Sequence, residues 1–273
     1  MLIGIPGKII IMTKEIMIIK RILQSLYLYF LLFMPLALFA QKKVQLKSPD
    51  GNIVFNLALK SNMPVYSVVF KRKTIIEPSS LSLSFEKGRD FGEDLKINKP
   101  LFRNGEDDYT LVVGKTKKVH DFYKEVTIPL QERNGDGRLI NLIVRVFNDG
   151  LAFRYEVPKQ KNWSSYILTA ENTTFHVAGN PNVLAGYLEN YTTAHEARHE
   201  MMPLNKVKSD TLMDVPVLFE FPGKIYMAIT EAELVDYAGM YLMKHDGFIE
   251  SKLLPLPGQD KIKVKWELPH KSP

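Results

Sequence analysis

Between Gly186 and Glu200 the chain gathers three carboxylates, Glu189, Glu196 and Glu200, and two imidazoles, His195 and His199. Inside this stretch His195-Glu196-Ala197-Arg198-His199 spells H-E-x-x-H. On a helix that spacing sets two imidazoles on one face to hold zinc, with the glutamate beside them as the general base of a peptidase. Glu220 lies at a spacing that could supply a third ligand. The kind of element that carries these residues therefore decides whether such chemistry is available.

Local signals argue against a helix. Tyr191-Thr192-Thr193 are poor helix formers, and Met201-Met202-Pro203 ends any helix within about one turn of His199. Glu220 sits in the alternating run Val217-Leu-Phe-Glu-Phe221, which reads as a strand. The stretch is expected to be a loop, with zinc hydrolysis through His195-Glu196-x-x-His199 as the lesser alternative.

The elements around it have a period of two. Ile53, Phe55, Leu57 and Leu59 share one face, and Pro49-Asp50-Gly51 turns the chain before them. Leu81, Leu83 and Phe85 alternate with serines. Asn148-Asp149-Gly150 joins Leu139–Phe147 to Leu151–Val157 as a hairpin, and Pro222-Gly223-Lys224 makes another. Residues 87–108, rich in Gly, Asp, Asn and Lys, read as a long irregular connection, and Glu231–Leu242 reads as a short helix or a strand bulged at Gly239. Many short strands without βα alternation predict an all-β fold, a large sandwich of antiparallel strands.

Residues 1–40 differ from the rest. Lys20 and Arg21 precede an apolar run from Leu23 to Phe39 that ends at Ala40-Gln41, the pattern of a signal peptide, so residues 41–273 are expected to form one exported domain, periplasmic or secreted. The run is too short and too proline-marked for a membrane span, and no other membrane attachment is expected. Half of the formal net charge of +6 belongs to this segment. The remaining charges are mixed along the chain and leave no electrostatic footprint for nucleic acid. The chain has no cysteine, which excludes disulfides, thiolate metal sites and thiol nucleophiles. Trp163 and Trp266 read as core residues.

Three stretches resemble one family. Leu46-Lys-Ser-Pro-Asp-Gly-Asn52, Phe147-Asn-Asp-Gly-Leu-Ala-Phe-Arg-Tyr-Glu-Val-Pro158 and Thr230-Glu-Ala-Glu-Leu-Val-Asp-Tyr-Ala-Gly-Met-Tyr-Leu242 are similar, in order, to the N-terminal domain of glycoside hydrolase family 97, the calcium-dependent bacterial α-glucosidases and α-galactosidases. The resemblance implies a β-super-sandwich of galactose-mutarotase type, preceding a (β/α)8 barrel that carries the catalytic carboxylates. The chain stops at Lys265-Trp-Glu-Leu-Pro-His-Lys-Ser-Pro273, where that family hands over to its barrel, so no residue here takes a catalytic role and the chain is expected to be inactive alone. The family implies one glutamate reaching from this domain to an active-site calcium. Its position before Pro203-Leu204 matches Glu196, with Glu189 as a second candidate. The implied partners are the barrel domain and an α-linked oligosaccharide; a stand-alone carbohydrate-binding sandwich is the alternative.

Overall fold

The computed structural model describes residues 20–24, 43–196, 198–259 and 261–273. Residues 20–24 are helical and form part of a separate unit. The signal-peptide reading of residues 1–40 falls otherwise outside the described residues.

From residue 43 the described chain is almost entirely strand, and the turn signals place the breaks. The meander β1 (Val44–Lys47), β2 (Ile53–Lys60), β3 (Met63–Phe70) and β4 (Lys73–Ser80) opens it. Short strands β5 (Leu83–Phe85) and β6 (Leu95–Ile97) precede the long pair β7 (Leu101–Thr110) and β8 (Lys118–Glu132).

 The strand β6, Leu95–Ile97, is tied to the end of β8. Then come β9 (Leu139–Val146), β10 (Leu151–Val157), β11 (Ser165–Glu171), β12 (Thr174–Val177) and β13 (Asn182–Leu188). The last third holds β14 (His199–Pro203), a 3-10 turn (Leu204–Lys206), β15 (Leu212–Met213), β16 (Val217–Phe221), β17 (Ile225–Ile229), β18 (Met240–His245), β19 (Phe248–Leu253), β20 (Val264–Glu267) and β21 (His270–Lys271).

Among the described residues these strands form three antiparallel sheets. The largest has twelve strands and runs β1-β2-β3-β4-β12-β19-β18-β15-β13-β16-β17, with β14 paired to β13. A six-stranded sheet runs β21-β10-β9-β8-β6, with β7 on β8, and a three-stranded sheet runs β20-β11-β5. The period of two is what lets them stack. In β2 the residues Ile53, Phe55, Leu57 and Leu59 are all buried, and β2 packs against β6 and β9 of the second sheet. Tyr66 of β3 stacks on Phe55 and meets the ring of Phe153 in β10, 5.5 Å away, so aromatic contact bridges the two large sheets. The all-β sandwich expected from the sequence is the fold observed.

Two local expectations change. The stretch 87–108 is not one irregular connection, because β6 and most of β7 lie in it. Nearly all of β7 is exposed on both faces, so no buried face imposes an apolar period on its sequence. Residues 231–239 are neither helix nor strand, and β18 begins at Met240. Tertiary contacts hold them irregular. Glu233 and Asp236 take φ of 54° and 51°, the Met240 amide donates to the Glu231 carboxylate (2.8 Å), and Trp266 Nε1 donates to the Asp236 carbonyl (3.0 Å).

Candidate functional site

Residues Gly186 to Glu200 run from the end of β13 through its connection to the start of β14. The two strands pair antiparallel, with Gly186 opposite His199, Ala185 opposite Glu200 and Leu184 opposite Met201. Gly186 leaves room for the His199 ring, which folds over it: a Cβ there would stand 3.1 Å from Nε2 of His199, closer than usual contact. His199 is thus the first residue of a strand, while His195 lies in the loop before it.

The loop that follows β13 is held at three points among the described residues. Asn190 caps its first turn, its side-chain oxygen accepting from the Thr192 amide (2.8 Å) and hydroxyl (2.7 Å). The ring of Tyr191 sits edge-on to that of Tyr241 in β18, 5.4 Å between centroids. His195 Nδ1 lies 2.8 Å from Asp214 Oδ2, and its Nε2 lies 3.4 Å from the Tyr241 hydroxyl. Asp214 is itself fixed, its amide donating to the Gly186 carbonyl (3.0 Å) and its other oxygen accepting from the Val215 amide (3.0 Å). Burial pushes the Tyr241 hydroxyl above the usual phenol range, with Asp214 and Glu231 adding to the effect, so this group stays protonated and able to donate. Glu196 follows the clamped histidine and is exposed, and Glu189 is exposed where the chain leaves β13.

The zinc reading fails on this geometry. H-E-x-x-H lies on a loop and a strand start, so its imidazoles do not share a helix face. Glu220 is opposite Asn182, four residues along β13 from the residue that faces His199, which is about 13 Å at strand rise. Zinc ligands must converge to about 2 Å from one ion. Glu220 is instead occupied by Tyr226, whose hydroxyl donates to it at 3.2 Å. Among the described residues no three His, Asp or Glu side chains are grouped to hold a metal.

Sequence reasoning missed the Asp214–His195–Tyr241 clamp, whose members are 19 and 46 residues apart and carry no local signal. It also missed Glu171, whose carboxylate accepts from the Tyr237 hydroxyl (2.9 Å) and the Thr173 hydroxyl (3.0 Å). Desolvation pushes this carboxylate above its usual range, against the opposing effect of those two donors. Both tryptophans serve packing. Trp266 stacks on Tyr237 and on His270 at 5.2 and 4.7 Å, and Trp163 contacts the rings of Phe85 and Tyr166 and the Arg138 guanidinium.

The glycosyl-hydrolase 97 N-terminal family matches residues 46–273. The chain belongs to that family. A retaining α-galactosidase of Bacteroides thetaiotaomicron is 24% identical over 222 residues, which is 78% of this chain and 32% of the relative. A glycoside hydrolase family 97 enzyme of Pseudoalteromonas sp. strain K8, solved in complex with acarbose and, as an E480Q variant, with panose, superposes with a TM-score of 0.75 at 29% identity, covering 84% of this chain and 34% of that one. A β-arabinopyranosidase structure, at 22% identity and a TM-score of 0.74, shares the fold. This family 97 domain therefore spans about a third of the length of the relatives it matches.

Proposed function

We propose that this chain is the N-terminal domain of an exported α-glycosidase acting on α-glucosides or α-galactosides, working with a (β/α)8 barrel that carries the catalytic carboxylates. Family membership over residues 46–273 is the observation that carries the reading. The similar enzymes supply the substrate class: one is a retaining α-galactosidase, and another was solved with acarbose and with panose. Export through residues 1–40, to the periplasm or beyond, completes the proposal.

In this reading Glu196 gives one oxygen ligand to a calcium at the junction with the barrel, and Glu189 is the second candidate. Calcium takes six to eight oxygens. The residues here fit one share of such a site: Glu196 is exposed, sits on a loop tied down by His195, and has no cluster of further carboxylates around it among the described residues. Bound calcium would hold and polarise substrate oxygens. The contribution of this chain is to fix the loop, so that the glutamate is presented in one place without an entropic penalty at binding.

Co-expression of the chain with the barrel of a family 97 enzyme, assayed on aryl α-glucoside and aryl α-galactoside, tests the proposal. Glu196→Gln should raise the calcium concentration needed for activity at least tenfold. Activity and calcium requirement unchanged by that substitution would remove Glu196 from the site. The chain alone should bind calcium only weakly, and micromolar affinity by calorimetry would contradict a shared site.

A further inference from the structure

The β7–β8 hairpin leaves the sandwich. Strand β8 pairs with β9 only from Lys124 onward, whereas its pairing with β7 continues outward to Lys118. Residues 118–123 and 105–110 therefore form a two-stranded ribbon that projects about 20 Å at strand rise. The apolar side chains of the ribbon and its tip are open to solvent: Val112 is 98% exposed and Val113 81%, with Tyr109, Leu111 and Phe122 also exposed. A two-stranded ribbon is marginal by itself, since neither face is covered.

The root of this ribbon is nevertheless braced. Glu125, 5% exposed, takes Arg103 Nη2 at 2.8 Å and Arg145 Nε at 2.6 Å. Both guanidiniums also lie over the Tyr123 ring, at 5.8 and 4.4 Å. Gly105 lets that ring lie flat on β7, because a Cβ there would overlap it. Burial works against the Glu125 charge, but the two arginines outweigh it and hold the carboxylate below its usual range. Along the stem, His120 joins Glu106 and Asp108 at 3.3 and 2.8 Å, and Tyr109 donates to Asp121 at 2.8 Å. The ribbon is held out stiffly, with its apolar tip uncovered.

We infer that this hairpin is a docking arm for a folded protein surface, namely the polypeptide that makes up the remaining two thirds of the family's longer enzymes. The length of those relatives beyond the match supplies the occupant, and this identification rests on the function proposed above. Charge argues for protein over lipid. The tip carries Lys115, Lys117 and Lys118, but Glu106, Asp107, Asp108 and Asp121 stand directly behind it and would repel an anionic bilayer. A surface complementary to this arm would offer an apolar recess for Val112 and Val113, rimmed by carboxylates for the lysines.

The test mixes the purified chain with the part of the Pseudoalteromonas enzyme that lies beyond the match and reads sedimentation velocity without calcium. The expected result is a one-to-one complex in which amides of residues 105–123 exchange more slowly. The double substitution Val112→Ser and Val113→Ser should weaken it at least tenfold while leaving the melting of the sandwich unchanged. Glu196→Gln should leave it intact, so failure of the calcium reading and failure of the arm are separable. The inference is overturned by absence of a complex, by a complex indifferent to the Val112/Val113 substitutions, by arm-dependent dimers of the chain alone, or by arm-dependent sedimentation with phosphatidylserine vesicles.

Discussion

Glu132 closes β8 and Arg138 begins the return to β9, and the pair they form is nearly shut off from water, with side chains 2% and 6% exposed. Arg138 donates Nη2 to Glu132 Oε1 at 2.6 Å and Nε to Oε2 at 3.0 Å, and the same Nη2 reaches the Arg89 carbonyl at 2.6 Å. Its guanidinium also lies over Phe85 and Trp163, at 5.1 and 5.5 Å. Removing one member leaves the other buried without its partner, which costs about 3–5 kcal/mol. Urea unfolding at pH 7 should show Arg138→Met and Glu132→Leu each losing about 3–5 kcal/mol relative to the parent. The double substitution Glu132→Leu with Arg138→Met should cost less than either single one, since no unpaired charge is left. A double variant as unstable as the sum of the singles, or single variants as stable as the parent, would refute the reasoning.

Glu171 gives a second pH signature. Its folded-state value lies above the ordinary carboxylate value, so its stabilisation is fully present below that ordinary value and is lost as pH rises through the raised one. Melting temperature should fall over this window, and Glu171→Gln, which keeps acceptor and shape, should flatten the fall; an identical profile would contradict the burial argument. His195→Ala should change global stability by less than about 1 kcal/mol, because His195 is 57% exposed in its contact with Asp214. It should still speed amide exchange in residues 189–198 severalfold, and unchanged exchange would show that the clamp does not hold the loop. Gly105→Val forces β7 away from Tyr123 and should cost about 1–3 kcal/mol, measured by denaturant unfolding; a neutral result would mean that the root of the arm is loosely packed.

Much of this protein is local, and that part is legible in the sequence. Alternation at Ile53, Phe55, Leu57 and Leu59 records a strand with one face buried, and those residues are in the core. Asn148-Asp149-Gly150 makes a tight turn wherever two such runs flank it, and β9 pairs with β10 across it. Weak helix formers and Pro203 were enough to keep His195-Glu196-x-x-His199 off a helix. Other features depend on contacts between distant segments, for which a period of two carries no code. Strand order is one: β13 sits between β15 and β16 while also holding β14, and that arrangement offsets Glu220 from His199 by about 13 Å along β13. The clamp on loop 189–198 is another, because Asp214 and Tyr241 reach His195 only after the sheet forms. The arm is the clearest case. With no core on either side, β7 has no apolar rhythm, and only the folded protein shows that those polar residues form a strand standing clear of the sandwich.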